Sequence, residues 1–332
     1  MRTTLRTGLP AVLLVTALTL TACGTTEEAD AGSADATAAS DAGPVTFTDE
    51  RGEQTLDAPA TEVVSLEWGL TENLLALGVD VVGQADVEGY NTWDTSVPLD
   101  ASTPDVGMRG EPSLDAISAL EPQLIAVTTD TPDNVIDQLA DIAPVVTLRG
   151  SDGTDPIGYM RQTVETLATA TGTEDEGAEL LAGFDTKVAE GKKALDEAGV
   201  AGASYVMADG WVNNGTVSVR MYTPGSFLGA IGAELGLANA WTGEGDPDYG
   251  LAQTDVEGLT ELGEDVHFLY VANDTDGGDA FKDGLTGNAI WEQLPFVVAG
   301  NTARLPDGIW MFGGPESGAA FIDATVAALT AS

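Results

Sequence analysis

Val63-Val64-Ser65-Leu66, Thr71-Glu72-Asn73-Leu74-Leu75-Ala76-Leu77-Gly78 and Val79-Asp80-Val81-Val82-Gly83 make up the stretch that decides the fold. The outer runs are short and apolar, which predicts buried strands. The middle run predicts a helix that Gly78 ends. Strand, helix and strand in succession belong to a parallel α/β sheet. The alternation continues downstream. Leu114 to Leu120 is helical by the spacing of Leu114, Ile117 and Leu120, with Ser113 placed to cap it. Leu124-Ile125-Ala126-Val127 is a strand, Thr131-Pro132 opens a helix, and Val145-Val146-Thr147-Leu148 is a strand again.

Beyond Gly153 come the two longest helical signals. Ile157, Met160, Val164, Leu167 and Ala168 share one face from Pro156 to about Thr171, and Leu180, Leu181, Phe184, Val188 and Leu195 do so from about Glu174 to Ala198. The first is a candidate for a rigid connection between two lobes; an ordinary packing helix of one large domain has the same pattern. The second half repeats the grammar of the first. Ser204 to Ala208, Thr216 to Arg220, His267 to Val271 and Thr302 to Leu305 are strands, and Ser226 caps a helix that Gly236 ends. A short helix is expected from Asn288 to Gln293, and an amphipathic one from Pro315 to Ala331.

A long loop, from about Ala85 to Pro112, carries Tyr90 and Trp93 and ends in Asp105-Val106-Gly107-Met108-Arg109-Gly110-Glu111. Arg109 is the only basic residue between Arg51 and Arg149. Long loops inside compact domains are usually functional. Two readings fit: a ligand-facing arginine, or a surface arginine paired with Glu111 or Asp105.

Arg2 and Arg6 precede an apolar run from Leu9 to Leu20, too short to span a bilayer and of the right length for a signal-peptide core. Leu20-Thr21-Ala22-Cys23 resembles the bacterial lipobox, and Cys23 is the one cysteine of the chain. Residues 1–22 are therefore expected to be a lipoprotein signal peptide. Residues 23–44 would then be a lipidated cysteine followed by a disordered, acidic tether. The remaining residues suffice for one large or two medium domains. The formal charge of −42 argues against nucleic acid or anionic lipid as a partner and favours a neutral or cationic ligand; loss of Arg2 and Arg6 would make it two units more negative.

The inventory for catalysis is thin. His267 is the only histidine and lies inside an apolar strand, so a side-chain zinc or haem site is not expected, although carboxylates alone can hold a hard cation. Neither Ser226 nor Ser317 sits in a nucleophile elbow, and Gly313-Gly314-Pro315-Glu316-Ser317-Gly318 lacks the lysine of a phosphate loop. Aromatic residues stand out instead. Tyr90, Trp93, Trp211, Tyr222, Trp241, Tyr249 and Trp310 fall in expected loops or strand ends, beside the isolated Arg109 and Arg220. Together they suggest the walls of a cleft for a bulky, partly apolar ligand.

From Val63 to the C-terminal helix the chain resembles the solute-binding lipoproteins of ABC importers for iron–siderophore complexes, most closely the ferric-hydroxamate binding proteins. The matching motifs are Leu66-Glu67-Trp68, Leu74-Leu75-Ala76-Leu77-Gly78-Val79, Trp93 with Asp105 to Arg109, Glu111-Pro112-Ser113-Leu114, Leu120-Glu121-Pro122, Ile142-Ala143-Pro144, Asn239-Ala240-Trp241, Leu294-Pro295-Phe296-Val297 and Trp310. The resemblance implies an α/β fold of the class III periplasmic-binding-protein type: two Rossmann-like lobes with mainly parallel central sheets, joined by one long helix. Those lobes would be residues 45–155 and 173–332, with residues 156–172 bridging.

By the same resemblance Arg109 would donate to the iron-coordinating oxygens of a siderophore, while Trp93, Trp241, Tyr249 and Trp310 would line the cleft. Asp133 or Asp137 and Glu257 would meet arginines of a permease. A tyrosine that relatives carry after the strand Leu124 to Val127 has no counterpart in Thr128-Thr129-Asp130-Thr131-Pro132. A siderophore already gives ferric iron six oxygens, so no cofactor and no protein metal ligand is expected. Cobalamin, ferric citrate and haem are alternative ligands on the same scaffold, and an extracellular α/β hydrolase is a further alternative.

Overall fold

Val63 and Val64 point to opposite faces of their strand, and both are fully buried, so the sheet they belong to is covered on both sides. The computed structural model describes residues 43–331; the expected signal peptide, Cys23 and the tether up to residue 42 lie outside the described residues. The described chain opens with an antiparallel hairpin, β1 (Val45–Asp49) and β2 (Gly52–Leu56). Then follow β3 (Glu62–Ser65), α1 (Trp68–Ala76), β4 (Asp80–Gln84), α2 (Val87–Trp93), the two-residue strands β5 (Gly107–Met108) and β6 (Glu111–Pro112), α3 (Leu114–Ala119), β7 (Leu124–Thr128), α4 (Asp133–Ala140) and β8 (Val145–Leu148). Strands β4, β3, β7 and β8 pair in that order, all parallel.

The expected long loop is thus not structureless. Asp86 caps α2 by accepting from the Gly89 N–H, and β5 and β6 form a small hairpin with Arg109 at its turn.

Helix α5 (Pro156–Thr171) starts where Asp155 accepts from the Gly158 N–H and Pro156 fills the first turn, and it stops at Gly172 with φ 69°. It is followed by α6 (Glu174–Glu197). The second half contains β9 (Ser204–Asn213), β10 (Thr216–Tyr222), α7 (Phe227–Glu234), β11 (Ala238–Asn239), β12 (Leu251–Thr254), β13 (His267–Tyr270), α8 (Pro295–Val298), β14 (Thr302–Arg304) and α9 (Pro315–Thr330). The helix expected from Asn288 is reduced to a 3₁₀ turn at Trp291–Gln293.

The second sheet runs β12-β10-β9-β13-β14, with β11 also on β9. It is mixed rather than a copy of the first. β9 and β10 are antiparallel partners joined through Asn214-Gly215, both at positive φ as a tight hairpin turn demands. β11, β13 and β14 run parallel to their neighbours.

One apolar core runs through both halves. Val63 and Leu124 of the first sheet, Met207 and Leu269 of the second, and Leu74, Val164, Phe184, Leu228 and Phe321 of α1, α5, α6, α7 and α9 belong to it. The alternate strand residues face outward into two satellite cores, one around Val64, Ile125 and Ile136, the other around Val206, Phe268 and Phe296. Each sheet is therefore buried on both faces, and α5 packs on α1, α6 and α7, touching elements of both halves.

Candidate ligand-binding cleft

A cleft of about 890 Å³ opens at the carboxyl ends of the parallel strands. Glu67 and Trp68 follow β3, Asp86 follows β4, Asp130 and Thr131 follow β7, and Gly150 follows β8. Val271 and Ala272 follow β13, and Trp310, Met311 and Phe312 come after β14. Crossovers leave the crevice beyond these strand ends uncovered, so open parallel sheets bind ligands there. The volume is that of a small-molecule site.

Arg109 reaches into the cleft from the β5–β6 turn. It pairs with neither Glu111 nor Asp105; its Nη1 donates to both carboxylate oxygens of Glu67, at 2.9 and 3.2 Å. The guanidinium carbon lies 3.7 Å from the ring centre of Trp68 and 5.5 Å from that of Trp310. The two rings meet edge to face at 4.8 Å. The arginine is thus held over an aromatic wall, while its Nε and Nη2 have no partner among the described residues. Burial raises the Glu67 pKa, and Arg109 opposes that rise.

A second arginine–carboxylate pair faces the same space from the other half. Across the β9–β10 hairpin Arg220 and Asp209 are register partners, and the fork is bidentate: Nε donates to Oδ1 at 2.9 Å and Nη2 to Oδ2. Burial raises the Asp209 pKa against the pull of Arg220. Phe312 lies between the two pairs, 5.2 Å from Trp310, 5.3 Å from Tyr249 and 5.4 Å from the Arg220 guanidinium.

Tyr249 spans the cleft to give its hydroxyl proton to Asp130. That reach requires Gly150, where a Cβ would stand 1.9 Å from the tyrosine oxygen. Opposite, Trp93 Nε1 donates to Asp276 at 2.9 Å, a contact between α2 and the segment after β13. In all, five carboxylates and two arginines line the cleft, and both arginines are already paired.

Of the residues singled out in the sequence, Arg109, Trp93, Tyr249, Trp310, Arg220 and Trp211 line this cleft. Trp211 does so from β9 rather than from a loop. Three do not. Tyr90 is fully buried on α2, its hydroxyl donating to the Val97 carbonyl at 2.6 Å, because a short helix needs its one apolar face in the core. Tyr222 is fully buried at the end of β10, beneath Arg220. Trp241 packs against the satellite core of the second sheet. His267 is half-buried on β13 opposite Tyr205 and is absent from the cleft wall.

Of the three acids expected at a permease, Asp133, Asp137 and Glu257 are exposed, and Asp137 is engaged by Arg51 at 2.6 Å. The carboxylates Glu67, Asp86, Asp130, Asp209 and Asp276 and the rings of Trp68 and Phe312 are not among the site residues expected from the sequence. Among 54 acidic residues no single carboxylate stands out by composition.

The profile of the periplasmic binding protein family matches residues 63–308, which takes in both sheets and nearly the whole cleft. The chain belongs to the periplasmic binding protein family. The family is one of binding proteins, in keeping with a cleft built of stacked rings and paired charges.

Among relatives, the Iron(3+)-hydroxamate-binding protein FhuD of Escherichia coli is 28% identical over 260 residues, covering 78% of this chain and 84% of its own. The Fe(3+)-citrate-binding protein YfmC of Bacillus subtilis is 28% identical over 267 residues, covering 79% and 78%. The Fe3+–Desferal-bound siderophore-binding protein FhuD from Vibrio cholerae superposes with a TM-score of 0.71 at 29% identity, over 82% of this chain and 98% of that one. This periplasmic binding protein therefore shares the mixed α/β fold of that structure, built here on a four-stranded and a six-stranded sheet.

Proposed function

We propose that the protein captures an iron(III)–siderophore complex of the hydroxamate type outside the cytoplasm and delivers it to an ABC permease. The observation that carries this reading is the unpaired Nε and Nη2 edge of Arg109, held over Trp68 in an aromatic cleft of matching size. A ferric hydroxamate presents a compact cluster of partly negative, iron-bound oxygens inside an apolar shell. An arginine edge serves the former and stacked rings the latter. The iron is cargo, already saturated by the siderophore. Among the described residues no group of three or more His, Cys, Asp or Glu side chains is arranged to take it.

Charge narrows the class. Five lining carboxylates against two paired arginines oppose a multiply anionic ferric catecholate or ferric citrate and accept a neutral or singly cationic chelate. Relatives named for iron hydroxamate and for Fe3+–Desferal agree with that preference, whereas one named for Fe(3+)-citrate keeps citrate as the alternative ligand.

Around this site we place residues 1–22 as a lipoprotein signal peptide and Cys23 as the lipid anchor at the outer face of the membrane. No helix among the described residues is long and apolar enough to cross a bilayer. Asp133, Asp137 and Glu257 remain the proposed permease contacts, supported by their exposure. The protein would act as a monomer, with no cofactor of its own.

The test is quenching of tryptophan emission in the soluble form beginning after Cys23, titrated with ferrioxamine B, ferrichrome, a ferric catecholate, ferric citrate, haem and cobalamin. Saturable quenching by a hydroxamate at about micromolar concentration or below is expected. Tight binding of another ligand in its place would replace the substrate class.

A further inference from the structure

Behind the aromatic wall lies a carboxylate that ligand binding does not explain. Glu72 on α1 is fully buried. It reaches to the start of α9, in the other half of the molecule. Its Oε1 accepts from the Gly314 N–H at 3.0 Å and the Ser317 N–H at 2.8 Å, and its Oε2 accepts from the Ser317 hydroxyl at 2.6 Å. A helix start leaves such N–H groups unpaired, and they favour an anion. Here the anion comes from a different lobe. The segment so held begins two residues after Phe312 and four after Trp310, and Ser317 Oγ also bonds the Trp310 N–H at 3.3 Å.

Asp94, just past α2, faces Glu72 within hydrogen-bonding reach. It is fully buried, and neither of its oxygens has a conventional hydrogen-bond donor. Two carboxylates this close and this dry cannot both ionise. Since Glu72 already receives three donors, the proton belongs on Asp94, whose carboxyl O–H donates a hydrogen bond to the Glu72 carboxylate.

The groups facing the pair are few. Tyr90 on α2 is neutral, pushed upward first by burial and then by Asp94 and Glu72; Ser96 Oγ lies 3.1 Å from Ser317 Oγ; and the α9 end contributes only Ser317 and backbone. The one acid in the first turn of α9, Glu316, is exposed.

We propose that Glu72 is a positioning residue of the cleft: with the proton carried by Asp94 it clamps the start of α9, and so fixes the Trp310–Phe312 wall on the first lobe. The clamp holds whichever chelate the cleft takes. Burial, then the nearness of Glu72, pushes the Asp94 pKa up to about 10, against about 4 in an unfolded chain. The folded state therefore binds more protons across that interval, and the stability this pair contributes declines as pH rises through it. The 54 acidic residues have a slope of their own, so the informative quantity is a difference between variants.

The experiment uses the ligand-free chain after Cys23, as wild type, Glu72→Ala, Glu72→Gln and Asp94→Asn, read by acrylamide quenching of tryptophan emission and by thermal melting from pH 6 to pH 9. Trp68 and Trp310 are nearly fully buried, so release of the wall raises their quenching. Glu72→Ala should show that rise together with weaker ferrioxamine B binding at unchanged helix content. Glu72→Gln, which keeps an acceptor for both N–H groups, should restore most of the protection. Asp94→Asn keeps a donor to Glu72 without a titrating proton. It should melt at least about 3 °C above wild type at pH 7, with a gap that widens toward pH 9.

Wild-type quenching in Glu72→Ala, or an Asp94→Asn melting curve parallel to wild type at every pH, would overturn the clamp. If Glu72→Ala does not fold, the Asp94→Asn comparison decides alone. If ferrioxamine B binds none of the variants nor wild type, the ligand assignment fails while the quenching and melting results still judge Glu72.

Discussion

Replacing Arg109 by alanine separates the ligand-facing arginine from a merely structural one. In the structure the guanidinium hydrogen-bonds only to Glu67, through Nη1, and lies 3.7 Å over Trp68. Its free edge is what a chelate's oxygens would meet. Hydrogen bonds from a charged donor contribute about 1.5–3 kcal/mol, which corresponds to a loss of about ten- to a hundredfold in affinity on truncation. Arg109→Lys keeps the charge but loses the planar fork and the stacking, so its affinity should fall between the two.

The assay is tryptophan quenching with ferrioxamine B, with thermal melting as the control for folding. The side chains of Arg109 and Glu67 are 34% and 20% exposed, so Glu67 left without its partner is only partly hydrated, and the melting temperature should drop, though less than on loss of the deeper Arg220–Asp209 pair. Affinity within twofold of wild type in Arg109→Ala would refute the reasoning and return Arg109 to the role of a structural partner of Glu67.

Three further outcomes are expected. Burial raises the Glu67 pKa, so acidification removes the anion competing for Arg109; affinity should rise as the pH falls, and Glu67→Gln should bind with the low-pH affinity and a flat profile in quenching titrations. Gly150→Ala places a Cβ 1.9 Å from the Tyr249 hydroxyl, so it should displace Tyr249 from Asp130 and cost about 1–3 kcal/mol, read as lower thermal stability with weaker binding. Arg220→Ala leaves Asp209 with only 13% of its side chain exposed and without its bidentate partner; it should destabilise the fold by about 3 kcal/mol in urea unfolding, more than Arg109→Ala does.

The sheets and most helices were legible in the sequence because their signals are local. Ser113 and Ser226 cap the helices that follow them, Gly172 and Gly236 adopt the left-handed conformation that ends a helix, and Pro156 to Thr171 is helical over the whole expected span. What escaped was short or weakly patterned. Helix α2 has one buried residue, Tyr90, and so shows no periodicity. The Asn214-Gly215 turn carried a readable hairpin signal, which would have moved Trp211 from a loop to β9.

At the site, Arg109 was legible because it is alone among acids, whereas its partner Glu67 could be recognised only once β3 and the β5–β6 turn were brought together. Tyr90 and Tyr222 show the opposite, since an aromatic residue in a polar stretch looks exposed until the fold buries it, and Trp241 is drawn half-buried onto the satellite core. Glu72 and Asp94 could not be foreseen, because nothing in a helix rich in apolar residues says that its one acid meets a second acid and the start of a helix some 240 residues away.

The most direct test of the central claim is the position of iron in a crystal of the protein grown with ferrioxamine B, located by its anomalous scattering. The account predicts one iron per chain inside the cleft between Arg109 and the Trp310–Phe312 wall, coordinated only by siderophore oxygens, with the free edge of Arg109 donating to them. Iron bound by protein carboxylates, or a chelate lodged outside this cleft, would contradict it.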